Sequence, residues 1–284
     1  MDNRKLGNIE KAMETLNRDG GGFSVVTVGR IKGPLNAEMV RQALDLVQCR
    51  HPLLNSCIVG SLDNLRFQTG EMPLIPLRIV DKLHNEQWTD VVLEELNEKI
   101  DSSKGLLRAV LVLPMNESCV NYLILTVHHA ISDALSCIQL YSEILTYCQS
   151  FGSNYPITQV ISLPTLPPVE ELLPKSAKGL RKKTLYPQPE PLAVETLGFE
   201  KCVSMELRRC GLIHSQLDAK LTQQLINTCR QEKTTLQGAF CAAMLFAVMR
   251  KISPGQTNDA RMSCRTPVNL RQRLKPVEFR RYFA

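Results

Sequence analysis

Apolar residues in the first 150 positions recur at spacings that predict alternating strands and helices. Phe23–Ile31 is rich in β-branched residues and predicts a strand that ends before Gly33-Pro34. Residues 37–49 predict a helix with Asn36 as its N-cap, because apolar side chains recur there every three or four positions. Further strands are predicted at Leu53–Val59, Leu74–Ile79, Leu106–Leu113 and Asn121–Val127, and further helices at Trp88–Ile100 and Leu135–Tyr147.

Prolines divide the chain. Eight of the 16 prolines fall between Pro156 and Pro191, and proline interrupts both helices and sheets. We therefore expect an N-terminal lobe at residues 1–150, a proline-rich linker or crossover at 151–200, and a second lobe at 201–284. The basic run Lys175–Lys183 within the linker is expected to be solvated, with contact to donor phosphates as the alternative.

The second lobe shows a weaker pattern. Val203–Ile213 predicts a strand and Gln216–Glu232 predicts an amphipathic helix. Leu236–Ile252 is apolar on nearly all sides, which predicts a buried helix. A last strand is predicted at Arg261–Pro267. The whole pattern is that of an α/β protein.

Composition narrows the function classes. The chain has 284 residues, of which 44% are hydrophobic and 22% are charged, and its formal net charge is +6. That charge is mild and its basic residues are not interleaved with aromatic ones, so we expect no nucleic-acid binding. The 10 cysteines show no C-x-x-C spacing and predict reduced thiols in a cytoplasmic protein. We see no secretory signal, and no apolar run is long enough to predict a transmembrane segment.

The most informative motif is V-H-H-A-I-S-D-A, which contains His128, His129 and Asp133. It lies where a strand gives way to a loop and a helix, a position that exposes side chains to ligands, and imidazole is the usual general base near neutral pH. Two other interpretations stay open from the residues alone. The histidines could be structural, with Asp133 capping the helix that begins at Ala134. A metal hydrolase is the third interpretation, weakened because neighbouring strand residues point to opposite faces.

The motif resembles the H-H-x-x-x-D-G signature of the CoA-dependent acyltransferase superfamily, which includes chloramphenicol acetyltransferase, condensation domains and polyketide-associated acyltransferases. Further segments resemble that family in the same order: residues 31–54 ending in R-H-P-L-L, then G-L-L-R-A-V-L-V, T-T-L-Q-G-A-F-C-A-A-M-L-F-A and P-V-N-L-R-Q-R-L. The resemblance implies a chloramphenicol-acetyltransferase-like fold of two α+β sandwich lobes, with an acyl thioester and an acceptor meeting between them.

The resemblance also implies roles for individual residues. His129 would be the general base that takes the proton of an acceptor hydroxyl or amine during its attack on the thioester. Asp133 would pair with an arginine, Arg271 by preference and Arg273 as second choice, while His128 would support the motif. The donor would be acyl-CoA or an acyl-carrier protein, with no permanently bound cofactor and no metal.

Two departures from the family pattern qualify these expectations. Ala134 stands where the signature has glycine, and its methyl group could narrow the substrate channel unless the backbone there is ordinary. The family also continues well beyond the arginine element, so the second lobe is expected to be incomplete and the chain truncated. The alternative function is therefore a catalytically inactive relative that acts as a binding module. Ser132 and Ser136 lack a G-x-S-x-G context, which predicts turn and cap roles for their hydroxyls.

Overall fold

A four-stranded mixed sheet organises the N-terminal part of the molecule. The computed structural model describes residues 3–20, 23–70, 72–114, 120–153, 155–172, 201–252, 266, 267, 269 and 271. These residues form two compact units. The first contains the described residues up to 172, Ser204–Leu212 and Arg271, and the second contains the rest.

The first unit alternates helices and strands along the chain. Its elements are α1 (Asn8–Gly20), β1 (Ser24–Lys32), α2 (Ala37–Arg50), β2 (Ser56–Val59), β3 (Arg66–Thr69), β4 (Leu77–Asp81), α3 (Gln87–Asn97), β5 (Leu107–Leu113), β6 (Val120–His128), α4 (Ala134–Phe151) and α5 (Val169–Leu172). The sheet order is β1-β6-β5-β4, with β2 and β3 forming a separate pair. β6 runs antiparallel to both neighbours, whereas β4 and β5 are parallel.

Alternate residues of β5 and β6 supply two hydrophobic clusters. Leu123 and Leu125 belong to the larger cluster, which also contains apolar residues of α2 and α4. Ile124 belongs to the smaller one with Val91 and Val92 of α3. This period of two is the expected behaviour of a sheet covered by helices on both faces. The mixed α/β fold class that the sequence predicts is confirmed.

Helix α2 shows why the elements of the first unit could be predicted from the hydrophobic pattern. Asn36 lies in extended backbone and its side chain accepts a hydrogen bond from the backbone N–H of Met39. Val40 and Val47 are fully buried on the face toward the core. The helix ends at Arg50, and the backbone N–H of His51 donates to the carbonyl of Val47.

Two expectations in the first unit were incomplete. Helix α1 was not predicted, because the buried positions of its face are Glu10, Glu14 and Asn17 rather than apolar residues. The segment predicted as the strand Leu53–Val59 begins with a 3₁₀ turn at Pro52–Asn55, since proline at its first position favours a turn over sheet pairing. The strand itself begins at Ser56.

The described part of the proline-rich stretch packs on the first unit. Leu166 and Leu172 are buried. The backbone N–H of Leu163 donates to the carbonyl of Arg50, and that of Ile9 donates to Glu170 Oε1. Residues 155–172 therefore contribute to the first unit, while the domain boundaries at 150 and 200 stay predictions.

The strand predicted at Val203–Ile213 is wrong. Its described residues form a 3₁₀ turn at Met205–Leu207 and otherwise irregular backbone. The backbone N–H of Cys210 donates to Asn97 Oδ1 of α3 instead of to a neighbouring strand. Arg208 and Arg209 interrupt the apolar alternation that a strand needs.

The second unit contains two helices among its described residues, α6 (Ala219–Gln231) and α7 (Leu236–Ile252). Asp218 caps α6 by accepting a hydrogen bond from the N–H of Leu221. The prediction that Leu236–Ile252 is buried is wrong, because no residue of α7 is buried and Met244 is 68% exposed. The described part of this unit offers no sheet against which α7 could bury its apolar sides.

None of the described helices is by itself long and apolar enough to span a bilayer. Among them, α6 and α7 reach that length and hydrophobicity only as a pair, which is bent by 97°.

Candidate active site

The H-H-x-x-x-D motif lies at the end of the central strand β6. The backbone of His128 pairs with Ser24 of β1, and its N–H donates to the carbonyl of Leu106. A tight turn follows, in which the N–H of Ile131 donates to the carbonyl of His128. Helix α4 then begins directly after Asp133. The strand fixes one end of the motif and the helix fixes the other.

His129 is half-buried in this turn and its ring has two fixed contacts. Nδ1 lies 2.8 Å from the carbonyl oxygen of Ser132. The phenyl ring of Phe23 stacks on the imidazole, with 5.6 Å between ring centroids and 19° between planes. Because a carbonyl oxygen only accepts, Nδ1 must carry the proton, which leaves the lone pair of Nε2 as the basic site.

Asp133 uses one carboxylate for two purposes. As N-cap of α4, its Oδ1 accepts from the backbone N–H and the hydroxyl of Ser136, each at 2.8 Å. The guanidinium of Arg271 donates to both carboxylate oxygens at 2.7 Å and also to Ser136 Oγ at 2.7 Å. The structure thus brings together Asp133 and Arg271, which stand 138 residues apart in the sequence.

The electrostatics of Asp133 follow from these contacts. Partial burial raises the pKa of the carboxyl, but the hydrogen bonds from Arg271 and Ser136 outweigh it and lower the pKa to about 2. The group is therefore an anion at neutral pH. It points to Arg271 and the helix terminus, and the described hydrogen bonds join it to no imidazole.

His128 lies in a different environment from His129. Its side chain is fully buried, and Nδ1 accepts a hydrogen bond from the N–H of Ala130 at 3.1 Å. Its Nε2 lies 2.9 Å from Glu14 Oε2, in a contact bent away from ideal hydrogen-bond geometry. Glu14 is the residue that sequence reasoning missed. The signal available was the spacing of Glu10, Glu14 and Asn17 on one face of α1.

The two imidazoles do not share a metal-binding arrangement. Both nitrogens of His128 already face protein groups, so this ring has no lone pair directed at an ion. Across the described ranges, no three His, Cys, Asp or Glu side chains are grouped as metal ligands.

The neighbouring residues have structural contacts. Ser132 Oγ donates to the carbonyl of Asp133 and lies 3.2 Å from the Sγ of Cys137. Ala134 is exposed in the first turn of α4, so its backbone is that of an ordinary helix and does not need glycine. His51 Nε2 lies 2.7 Å from Glu143 Oε2, which links the end of α2 to α4.

Three sequence predictions lie wholly or mostly outside the described residues. These are Arg273, the second-choice partner of Asp133, the basic run Lys175–Lys183, and the last strand at Arg261–Pro267, of which only residues 266 and 267 are described.

Comparison with known proteins gives one family model and several solved structures. The family model described as "Phthiocerol/phthiodiolone dimycocerosyl transferase C-terminus" matches residues 208–278, which include Arg271. The structure is similar to the condensation domain of the monacolin K polyketide synthase MokA, with a TM-score of 0.60 and 12% identity over 89% of this chain. It is also similar to SgcC5 from Streptomyces globisporus, with a TM-score of 0.53 and 19% identity over 85% of this chain.

These likenesses show a condensation-domain-like fold, and the family model adds a match over about a quarter of the chain. The chain covers 60% of the MokA condensation domain and 59% of SgcC5. No curated protein gives a significant sequence match. The comparisons show the fold, while the reaction and its substrates need separate arguments.

Proposed function

We propose that this protein transfers an acyl group from a CoA or carrier-protein thioester to a hydroxyl or amine. The observation that carries the proposal is the hydrogen bond between His129 Nδ1 and the carbonyl of Ser132, since it leaves Nε2 as a general base. The superfamily fold supports the choice of acyl chemistry.

In this mechanism, Nε2 of His129 takes the proton of the acceptor as its oxygen or nitrogen attacks the thioester carbonyl carbon. The resulting tetrahedral intermediate collapses with cleavage of the C–S bond. The proton on Nε2 then passes to the leaving sulfur, which releases a free thiol and restores the neutral imidazole. No covalent acyl-enzyme is required, and no metal or redox cofactor takes part.

The other motif residues would keep the base in place. The ion pair of Asp133 with Arg271 holds the first turn of α4 in place. The stacked ring of Phe23 limits rotation of the His129 ring. A cytoplasmic location is part of the same proposal. It is supported by the eight described cysteines, all of which are free thiols.

The proposal is tested by thiol release from a panel of acyl-CoA thioesters of different length, with an alcohol and an amine as acceptors. His129→Ala should lower kcat by about 10²- to 10⁴-fold, because a positioned general base contributes that much. His84→Ala is the matched control, since His84 is half exposed and pairs with Asp90 away from the motif. Equal rates for His129→Ala and the parent protein would contradict catalysis by this residue.

The alternative is a binding module without turnover. In this alternative the fold binds an acyl thioester but does not transfer its acyl group. Saturable binding of an acyl-CoA by calorimetry, together with no thiol release from any thioester, would select this alternative.

A further inference from the structure

Helix α1 presents a polar buried face to the motif, and Glu14 is its centre. The Glu14 side chain is fully buried. Its Oε1 accepts from Arg18 Nε at 2.6 Å and from the hydroxyl of Ser102 at 2.7 Å. Its Oε2 lies 2.9 Å from His128 Nε2. Burial raises the pKa of Glu14, but the contacts with His128, Ser102 and Arg18 outweigh it, so the pKa is lowered and the group is an anion.

These contacts determine which nitrogen of His128 carries the proton. Nδ1 accepts from the N–H of Ala130, so it is unprotonated. The proton of the neutral ring therefore lies on Nε2, where it faces the Glu14 carboxylate. A ring with the opposite tautomer would direct an N–H at the N–H of Ala130 and a lone pair at the carboxylate.

The turn that holds His129 depends on the same tautomer. The bond from Ala130 to His128 Nδ1 lies inside the turn, as does the bond from the N–H of Ile131 to the carbonyl of His128. This turn places the carbonyl of Ser132 at 2.8 Å from His129 Nδ1. Glu14 is thus connected to the His129 ring through His128 and two backbone groups, without contacting it.

We propose that Glu14 is a positioning residue that holds His128 in its Nε2–H tautomer and thereby fixes the turn that orients the base His129. The inference rests on the proposed function for its kinetic consequence only. Its structural part concerns the two rings and stands whether or not the protein turns over thioesters.

Glu14→Gln is the most informative variant because it keeps the size of the side chain and changes only its hydrogen-bonding groups. A carboxylate has two acceptor oxygens, whereas the amide has one acceptor and one donor group. If the amide oxygen faces His128, then Arg18 and Ser102 lose their acceptor. If the NH₂ group faces His128, the ring must switch tautomer and lose the bond from Ala130. The second orientation is the expected one, because it keeps an acceptor for the donors of both Arg18 and Ser102.

Glu10→Gln is the matched control. Glu10 lies one turn earlier on the same face, is similarly buried, and accepts from Arg4 at 2.6 and 2.8 Å and from the N–H of Gly7 at 2.6 Å. None of these partners is part of the motif. Its loss should lower stability without altering either histidine ring.

The first measurement is nitrogen-15 NMR of the histidine rings in the parent chain and both variants. We expect Glu14→Gln to move His128 away from the Nε2–H signature and to reduce the Nδ1–H fraction of His129, with no change in Glu10→Gln. Ser102→Ala removes one of the donors to Glu14, which makes the carboxylate a stronger acceptor. It should therefore shift the His128 Nε2–H signal in the opposite direction, which preserves the test if Glu14→Gln does not fold. Unchanged ring signals in Glu14→Gln and Ser102→Ala would overturn the proposal.

The second measurement is the split between kcat and KM. Glu14→Gln should lower kcat about tenfold with little change in KM for the thioester, since disturbing the support of a functional histidine costs about 10- to 100-fold. Glu14→Asp, which keeps both acceptor oxygens, should recover part of kcat. Equal losses in Glu14→Gln and Glu10→Gln would overturn the proposal by showing a purely structural role. An inactive parent chain would instead contradict the proposed function, and the NMR result would still decide the role of Glu14.

Discussion

Asp133 makes two contacts that sequence reasoning treated as rival explanations. It caps α4 through Ser136, as the structural interpretation of the motif predicts, and it also pairs with Arg271, as the family resemblance implies. One carboxylate has enough acceptor sites for both. The choice between a structural and a functional motif therefore could not be made at this residue. The proposed functional role depends instead on the hydrogen bond of His129 to a carbonyl, which no sequence pattern encodes.

The ion pair of Asp133 with Arg271 predicts a pH-dependent stability difference. The pKa of Asp133 is about 2 against its usual 3.8, so the pair contributes above about pH 4 and is lost as the pH falls toward 2. Arg271→Gln should lower the free energy of unfolding by about 1 kcal/mol at neutral pH, a modest amount because the carboxylate is partly exposed. Urea unfolding at several pH values measures the difference.

The difference between parent and Arg271→Gln should shrink toward zero near pH 2. Lys104→Gln serves as control, because the Lys104–Asp101 pair is 81% and 52% exposed and should contribute little at any pH. A difference for Arg271→Gln that stays constant between pH 5 and pH 2 would contradict the assignment.

Elements with an apolar face could be predicted and those with a polar buried face could not. Helix α2 has buried Val40 and Val47 and was predicted to within one residue of its bounds. Helix α1 buries Glu10 and Glu14, whose partners come from distant segments of the chain. A pattern of hydrophobic residues carries no information about such partners. The helix that supports the motif was therefore the one that the pattern did not reveal.

Packing between β1 and α4 gives a prediction for Gly29. A Cβ added there would lie 2.8 Å from a ring carbon of Tyr141. That ring cannot withdraw easily, because its hydroxyl lies 2.8 Å from the carbonyls of both Thr27 and Leu123. Gly29→Ala should therefore lower the free energy of unfolding by about 1 to 3 kcal/mol, the usual range for overpacking.

The matched control is Gly105→Ala, since an added Cβ at Gly105 meets no atom within 4 Å. Denaturant unfolding of both variants provides the comparison. Tyr141→Leu in the Gly29→Ala background should recover part of the loss by removing the obstructing ring. Equal stability of the two alanine variants would show that the β1–α4 contact adapts at no cost.

At the scale of the whole molecule, the second unit differs most from expectation. Helix α7 is as apolar as the sequence suggests, yet Phe240, Met244 and Phe246 are 49%, 68% and 61% exposed. The hydrophobicity of α7 predicts that these side chains are buried. It does not show which other residues would bury them, and the described residues do not. Exposed apolar groups on this scale favour association between molecules.

We therefore predict concentration-dependent self-association of the 284-residue chain in sedimentation velocity. The double variant Met244→Lys with Phe246→Lys should raise the dissociation constant by at least about a hundredfold, because burial of each such side chain contributes about 1.5 to 3 kcal/mol. Leu83→Lys is the control, since Leu83 is 73% exposed in the first unit. A monomeric parent chain at all concentrations would contradict the prediction.

The position of β6 at the centre of the sheet has a consequence for folding kinetics. Its last residue, His128, pairs with Ser24 on one side and contacts Glu14 of α1, so the motif closes loops of more than 100 residues. Contacts this distant in sequence form slowly and after the local ones. We expect the His129 environment to appear among the last events of refolding. The nitrogen signals of this ring would then report when the first unit has reached its native state.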